Sequence, residues 1–215
     1  MRQFLLLISL GFAIIACNSN SETSETQTDT SHQHSTTATD TAGTSGNHMM
    51  QMHDAMNNMM QQMQSMKPTG DADYDFAMMM KHHHQGAIDM AKAELAGGTD
   101  EQLKQMSQKL IDEQQKENAQ FDQFMQGKQP GGSSDYGQKA MGMMTPVSNI
   151  KMEGSSLDAM FASMMIPHHQ DAVKMSQEYL KVGKNAELKK IAKDITETQP
   201  KEIQELQNWL NNHKS

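Results

Sequence analysis

A block of residues occurs twice in this chain, at a constant offset of 85 positions. Residues 76–90 read FAMMMKHHHQGAIDM and residues 161–175 read FASMMIPHHQDAVKM, with no gap in the alignment. The agreement extends over residues 73–125 and 158–210, where 17 of 53 positions are identical. A unit of this length accommodates a helical hairpin, and one hairpin buries little apolar surface alone. The repeat therefore predicts two hairpins that pack together as a four-helix bundle.

The rest of the pattern is helical, and no segment shows the alternation of a strand, which favours an all-α fold. Six methionines recur at intervals of three and four in residues 48–66, which predicts a helix with one methionine stripe. Thr99, followed by Gln102, resembles a capping box that opens a helix. Helices are predicted over residues 48–66, 71–96, 99–126, 156–181 and 185–211.

The N-terminus resembles a bacterial lipoprotein signal. Arg2 precedes an apolar run over residues 4–15, and the run ends at Ile-Ala-Cys, with Cys17 at the position of lipidation. Residues 18–47 are rich in Ser, Thr and Asn, which predicts a disordered tether. We therefore expect an extracytoplasmic protein that is anchored to a membrane through lipid on Cys17. The predicted organisation is a signal peptide (1–17), the tether (18–47), a Met-rich helix (48–66), the first hairpin (71–126), a linker (127–155) and the second hairpin (156–211).

Composition excludes several classes of function. The chain carries 26 acidic and 18 basic residues, so nucleic acid is a poor partner because its binding depends on Lys and Arg. Cys17 is the single cysteine, which leaves none for a disulfide or a thiolate metal site. Methionine is abundant, with 23 residues against 6 Phe, 3 Tyr and 1 Trp. Any soft-metal chemistry must therefore use methionine sulfur.

Helical geometry places histidine and methionine on one face in each repeat. At about 100° per residue, His83 and His168 lie in the middle of the inward stripe, and His84 and His169 lie at its rim. A methionine stripe alone is also typical of an ordinary core, but a central imidazole requires a partner. Thioether and imidazole together favour copper, Cu(I) first, with Cu(II) accepted and Ag(I) as a mimic. The predicted ligands on the repeats are His83, His84, Met79, Met80, Met90, His168, His169, Met164, Met165 and Met175.

Further residues are candidates around this pattern. His82 offers an extra donor where the second unit has Pro167, which is expected to bend its helix. Met52, Met56 and His53 of the Met-rich helix are expected to add Cu(I) capacity. The interpretation of the inward glutamates is open: they either accept the second N–H of a ligating histidine or lie at the boundary in water. The candidates for this supporting role are Glu117, Glu202, Gln114 and Gln199.

These residues resemble a known family, the domain of unknown function 305. The resemblance lies in Asp73-x-x-Phe76, in Met80-x-x-His83-His84-Gln85-Gly86-Ala87 and in Met165-Ile-Pro-His-His-Gln170, and it covers residues 48–211. It implies a ferritin-like bundle of the bacterial periplasm, with some members implicated in copper binding and resistance. Lys81-His82 and Asp171 depart from the usual Ile-Pro and Gly, so the two units are not expected to bind equally.

Three functions compete at this point. The first is a lipoprotein, not an enzyme, that sequesters Cu(I) or passes it to a copper transporter or chaperone for copper tolerance. The second is an oxidase: a copper-dependent one stays open, whereas a di-iron site is disfavoured because no Glu is followed by His three residues later. The third is a lipoprotein whose methionine surface binds a protein partner.

Overall fold

The computed structural model describes residues 40–213, which all belong to one compact unit. This range contains no strand, and the predicted all-α fold is confirmed. Cys17 and residues 1–39 lie outside the described residues. The helices are α1 (Asp40–Ser65), α2 (Ala72–Gly97), α3 (Glu101–Met125), α4 (Tyr136–Met141), α5 (Leu157–Val182) and α6 (Ala186–Asn212), with a 3₁₀ turn at Val147–Asn149.

Short polar residues begin the four long bundle helices. Asp71, Ser156 and Asn185 each accept a backbone N–H of the following turn, as N-cap residues do. The cap of α3 is Asp100, whose carboxylate accepts the N–H of Leu103, and not Thr99 as predicted. Thr99 instead donates its N–H and hydroxyl to Asp158 of the other hairpin. A tertiary contact thus displaced the predicted local cap by one residue.

Two predicted boundaries differ from the structure. Helix α1 begins at Asp40 and not at residue 48, so its N-terminal turns include the end of the predicted tether. The predicted linker 127–155 contains α4, because Tyr136 and Ala140 bury their side chains against the bundle. No side chain caps the start of α4, so this helix depends on packing and not on a local signal.

Helices α2 and α5, one from each repeat, form the centre of the bundle. Helix α3 packs on α2 and α6 packs on α5, so each repeat is a hairpin, and the two hairpins meet through α2 and α5. Helix α1 packs on α2 and also touches α5, while α4 bridges α2 and α5. Phe76 stacks on Tyr179 at 4.0 Å between ring centroids and meets Phe121 edge-on. None of the helices within residues 40–213 is long and apolar enough to cross a membrane.

Two equivalent aspartates tie each hairpin to the loop of the other. Asp158 accepts the backbone N–H groups of Thr99 and Asp100 in the α2–α3 loop. Asp73, 85 positions earlier, accepts those of Lys184 and Asn185 in the α5–α6 loop. Burial alone would raise the pKa of both carboxyls, but these hydrogen bonds lower it. These reciprocal contacts fix the position of one hairpin along the other. They therefore also fix the positions of the histidines of α2 relative to those of α5.

Candidate metal centre

The inward histidines of the two repeats meet where α2 packs on α5. The rings of His83 and His168 lie 3.6 Å apart between centroids, with 36° between their planes, and both residues are buried. His168 donates Nε2–H to the backbone carbonyl of His83 at 3.0 Å. Because a carbonyl only accepts, this bond fixes the tautomer of His168 and leaves a lone pair on Nδ1. The Nδ1 of His168 and both ring nitrogens of His83 have no hydrogen-bond partner.

The second histidine of each pair is held by a glutamate from the hairpin's other helix. His84 Nε2 lies 2.7 Å from Glu117 Oε2, and His169 Nε2 lies 3.3 Å from Glu202 Oε2. The carboxylates accept the Nε2–H, so Nδ1 again carries the lone pair, and neither Nδ1 has a partner. Of the two interpretations of the inward glutamates, the contact with a histidine N–H is therefore the one that both repeats show.

His84 and His169, which helical geometry places at the rim of the stripe, are buried as fully as the central pair. They are 0% and 1% exposed, because α3 and α6 cover that edge of the stripe. The helical wheel of α2 or α5 alone does not include the covering helix. As a result, all four imidazoles lie inside the bundle, and the Nδ1 lone pairs of His84, His168 and His169 lie in surroundings that exclude water.

Burial sets the protonation of the central pair. The pKa of His83 and of His168 lies well below the usual value, first through desolvation and then through repulsion by the neighbouring histidines. Both rings are therefore neutral near pH 7, the form that binds metals. Burial would raise the pKa of Glu202, but hydrogen bonds and charge interactions with His169 and Lys109 lower it to about 2. Lys109 of α3 lies 3.2 Å from this glutamate, a contact between the two hairpins that no local sequence pattern predicts.

Methionines of the same two helices are buried in the core together with these rings. The six predicted methionine ligands on α2 and α5 are all at most 1% exposed and belong to one continuous core cluster: Met79, Met80, Met90, Met164, Met165 and Met175. Residues four and seven apart lie on the same helix face, so each central histidine has methionine one turn and two turns away. Within residues 40–213, no group of three or more His, Cys, Asp or Glu side chains is placed to hold a metal. Methionine sulfur is the further donor that this core offers beside the imidazoles.

Helix α1 covers this core with its own methionines. Met52 and Met56 are 0% and 2% exposed. Met59 approaches α2 so closely that a Cβ added to Gly86 would lie 2.8 Å from its sulfur. Two of the predicted donors are not in the buried group. His53 lies on the exposed face of α1, bonded to Asn57 at 2.9 Å, and the half-buried His82 bonds Gln62 at 2.8 Å.

The remaining candidates are the two glutamines Gln114 and Gln199, and Pro167 in α5. Gln114 and Gln199 are each 5% exposed, and the Oε1 atom of each is buried without a partner. They belong to the interior, but no hydrogen bond joins them to the histidine–glutamate pairs in the described part of the chain. Pro167 lies inside α5, which continues as one helix from Leu157 to Val182, so the predicted bend does not interrupt it.

The comparisons with known proteins show the family and similar folds. The family model described as Domain of unknown function (DUF305) matches residues 13–125 and 125–210. A search of the curated proteins finds no match. Among solved structures, CopM in the Cu(I)-bound form is 28% identical with a TM-score of 0.54, covering 66% of this chain and 98% of CopM. CopM in the Cu(II)-bound form is 29% identical with a TM-score of 0.53, and CopM in the Ag-bound form gives the same two values. The family model spans both repeat units, and the chain belongs to the DUF305 family.

Proposed function

We propose that this chain is a copper-binding protein that holds Cu(I) inside the bundle and sequesters it or passes it on. The observation that carries the proposal is the set of buried imidazole nitrogens without partners, in a core lined by methionine. A buried polar atom without a hydrogen bond costs free energy. A bound cation would satisfy several of these lone pairs at once, whereas a purely structural core has no use for them.

The donor set favours a soft ion. Neutral thioether prefers Cu(I) and Ag(I), while imidazole accepts either oxidation state of copper. The forms in which CopM was solved, with Cu(I), with Cu(II) and with Ag, support the same choice. Cu(I) is therefore the proposed ligand, with Cu(II) bound through histidine as the secondary state.

Protein groups outside the ligand set prepare the histidines for the ion. Glu117 and Glu202 hold the Nε2–H of His84 and His169, and the carbonyl of His83 holds that of His168. Each bond orients a ring, and a carboxylate partner makes the free nitrogen a stronger donor. The rings of His83 and His168 are already neutral when the ion arrives, because burial lowers their pKa, so binding there need not expel a proton from them.

The location forms a separate part of the proposal. We propose that the chain acts outside the cytoplasm, as a non-enzymatic lipoprotein anchored through Cys17, where a disulfide-forming environment favours methionine over cysteine as a copper ligand. Copper tolerance or homeostasis is its proposed role, with a copper transporter or chaperone as the partner that receives the ion. Cys17→Ala should move the protein from the membrane fraction to the soluble extracytoplasmic fraction. An unchanged membrane fraction would contradict the anchor without affecting the copper site.

The test of copper binding is a competition titration. The wild-type chain is titrated anaerobically with Cu(I) against a chromophoric chelator, beside His83→Ala/His168→Ala and the control His53→Ala. The control should bind as the wild type does, because His53 lies outside the buried group. The double variant should lose affinity by at least tenfold. Equal binding by all three proteins would overturn the proposal.

The burial of methionine counts against the partner-binding alternative. Among the large hydrophobic side chains whose burial is described, Met50, Met152 and Val182 are the exposed ones. The methionine stripes face the core and do not form a continuous surface for a protein partner. A copper-dependent oxidase would consume oxygen above the background of free Cu(I), and that measurement distinguishes it from a carrier.

A further inference from the structure

Helix α1 covers one face of α2, and the two helices run in opposite directions. Met59 lies against Gly86, His48 lies against Gly97, and Gln62 bonds His82. As the residue number falls along α1, the contact moves toward the C-terminus of α2. The methionines at positions 52 and 56 of α1 are thereby directed toward the part of α2 that contains Met90.

The linker covers the equivalent face of α5. Thr145 donates its N–H and hydroxyl to Asp171, and the N–H of Glu153 donates to Ser163. Asp171 is the counterpart of Gly86 at the 85-residue offset. The contact again moves toward the C-terminus of the repeat helix as the residue number falls. The linker thus has the same place and direction on the second repeat that α1 has on the first.

This correspondence places a second methionine group. Thr145 contacts Asp171 of the second repeat, just as Met59 contacts Gly86 of the first. The residues before Thr145 therefore extend toward the part of α5 that contains Met175. Helix α4 fixes that end, because the Tyr136 hydroxyl donates to the Met175 carbonyl at 3.3 Å. The linker methionines in this stretch are partly buried and pack against the core cluster: Met141, Met143 and Met144.

The local backbone brings the three side chains together. The N–H of Met144 bonds the carbonyl of Met141, and the N–H of Met143 bonds that of Ala140, which are turns of the 3₁₀ type. Residues three apart in such a turn lie on the same side of the chain. Met141 and Met144 are therefore neighbours, and Met143 is adjacent in sequence. Fully buried methionine would fill core volume, whereas these three lie where core meets solvent.

We propose that Met141, Met143 and Met144, together with Met175, form a thioether site for a soft monovalent ion, Cu(I) or Ag(I), in the second repeat. The proposal rests on the function proposed above and adds a site beside the histidine centre. In this proposal the linker methionines supply sulfur ligands to the second repeat, as the methionines of α1 are expected to do for the first repeat. A site built only of neutral thioether sulfur selects soft ions over Zn(II) and Cu(II).

The test follows each methionine separately. The full chain is labelled with ¹³C at the methionine ε-methyl groups, each signal is assigned with single Met→Leu variants, and Ag(I) is added stepwise as a diamagnetic probe. The signals of Met141, Met143, Met144 and Met175 should shift together and reach their limit within one equivalent, while Zn(II) leaves them unchanged. The variant M141L/M143L/M144L should bind one Ag(I) fewer than the wild type, whereas the control M106L/M125L should bind the full number.

The outcomes separate the two proposals. If the signals of Met79, Met80, Met164 and Met165 shift but those of the linker do not, the linker site is refuted and the histidine centre survives. If no methionine signal shifts at any Ag(I) addition, both proposals fail. If the triple variant unfolds, the single variants with the same labelling give the answer, since Met→Leu at one position nearly conserves volume.

Discussion

Replacing His83 with leucine should stabilise the metal-free protein and weaken its response to copper. His83 is fully buried, and neither ring nitrogen has a partner. An unsatisfied buried polar group costs about 1–3 kcal/mol, so about 1.5 kcal/mol for each nitrogen is a reasonable value. The variant also loses the ring contact with His168, which lowers this expected gain in stability by about 1 kcal/mol. His83→Leu should therefore raise the free energy of unfolding by about 2 kcal/mol.

The assay is thermal unfolding in the absence and presence of Cu(I). For a domain of this size, about 2 kcal/mol corresponds to a rise in Tm of about 4–8 °C. At a free Cu(I) concentration of about one hundred times Kd, the wild type should gain about 2.7 kcal/mol, and the variant should gain little of this. The order of the two melting temperatures should therefore reverse when copper is added.

His53→Leu is the matched control. His53 is exposed, so its replacement should change the free energy of unfolding by less than about 0.5 kcal/mol and leave the copper response intact. A metal-free His83→Leu protein that melts below the wild type would show that the ring has a structural partner. A variant that retained the full copper response would show that His83 is not a ligand. Either result refutes the reasoning.

Three further predictions follow from the same contacts. Glu117→Gln and Glu202→Gln should each weaken Cu(I) binding about 10- to 100-fold in the competition titration, because a carboxylate partner orients a ligating histidine and strengthens its donor nitrogen. Asp158→Asn should lower the free energy of unfolding by about 2 kcal/mol in urea, because its carboxylate accepts charged hydrogen bonds from the α2–α3 loop. Acidification below about pH 6.5 should destabilise the metal-free protein by about 1.4 kcal/mol per pH unit for each of His83 and His168. The unfolded chain binds a proton there that the folded ring, with its lowered pKa, does not bind.

Each of these predictions has a control or a contrary result. Glu113→Gln, on an exposed part of α3, should leave Cu(I) affinity unchanged; equal losses in all three glutamate variants would point to general charge and not to the histidine contact. Asp112→Asn, also exposed, should leave the urea midpoint near that of the wild type. Stability that stayed constant or rose between pH 6.5 and pH 5 would mean that the central rings are protonated in the folded chain.

Local pattern was enough to predict the helices and the inward stripe. Helical periodicity depends on residues three and four apart, so the positions of His83, His168 and their methionines on a buried face follow from the sequence. His53 lies on the exposed face of α1, so periodicity does not bring it into the buried group, and its expected part in Cu(I) binding stays a prediction. The same rule missed α4, whose Tyr136 and Ala140 are held by packing and not by periodicity.

The repeat and the helix period are written along the chain, so the sequence alone predicts two equivalent helical hairpins that carry histidine and methionine inward. That the rings of His83 and His168 lie against one another depends on how α2 packs on α5, so it follows only from the tertiary structure. The tertiary structure also decides the tautomers, since the acceptors are the His83 carbonyl and two glutamates from other helices. A group that accepts the N–H of one ring nitrogen leaves the lone pair on the other nitrogen, and here each accepting group comes from a distant part of the chain.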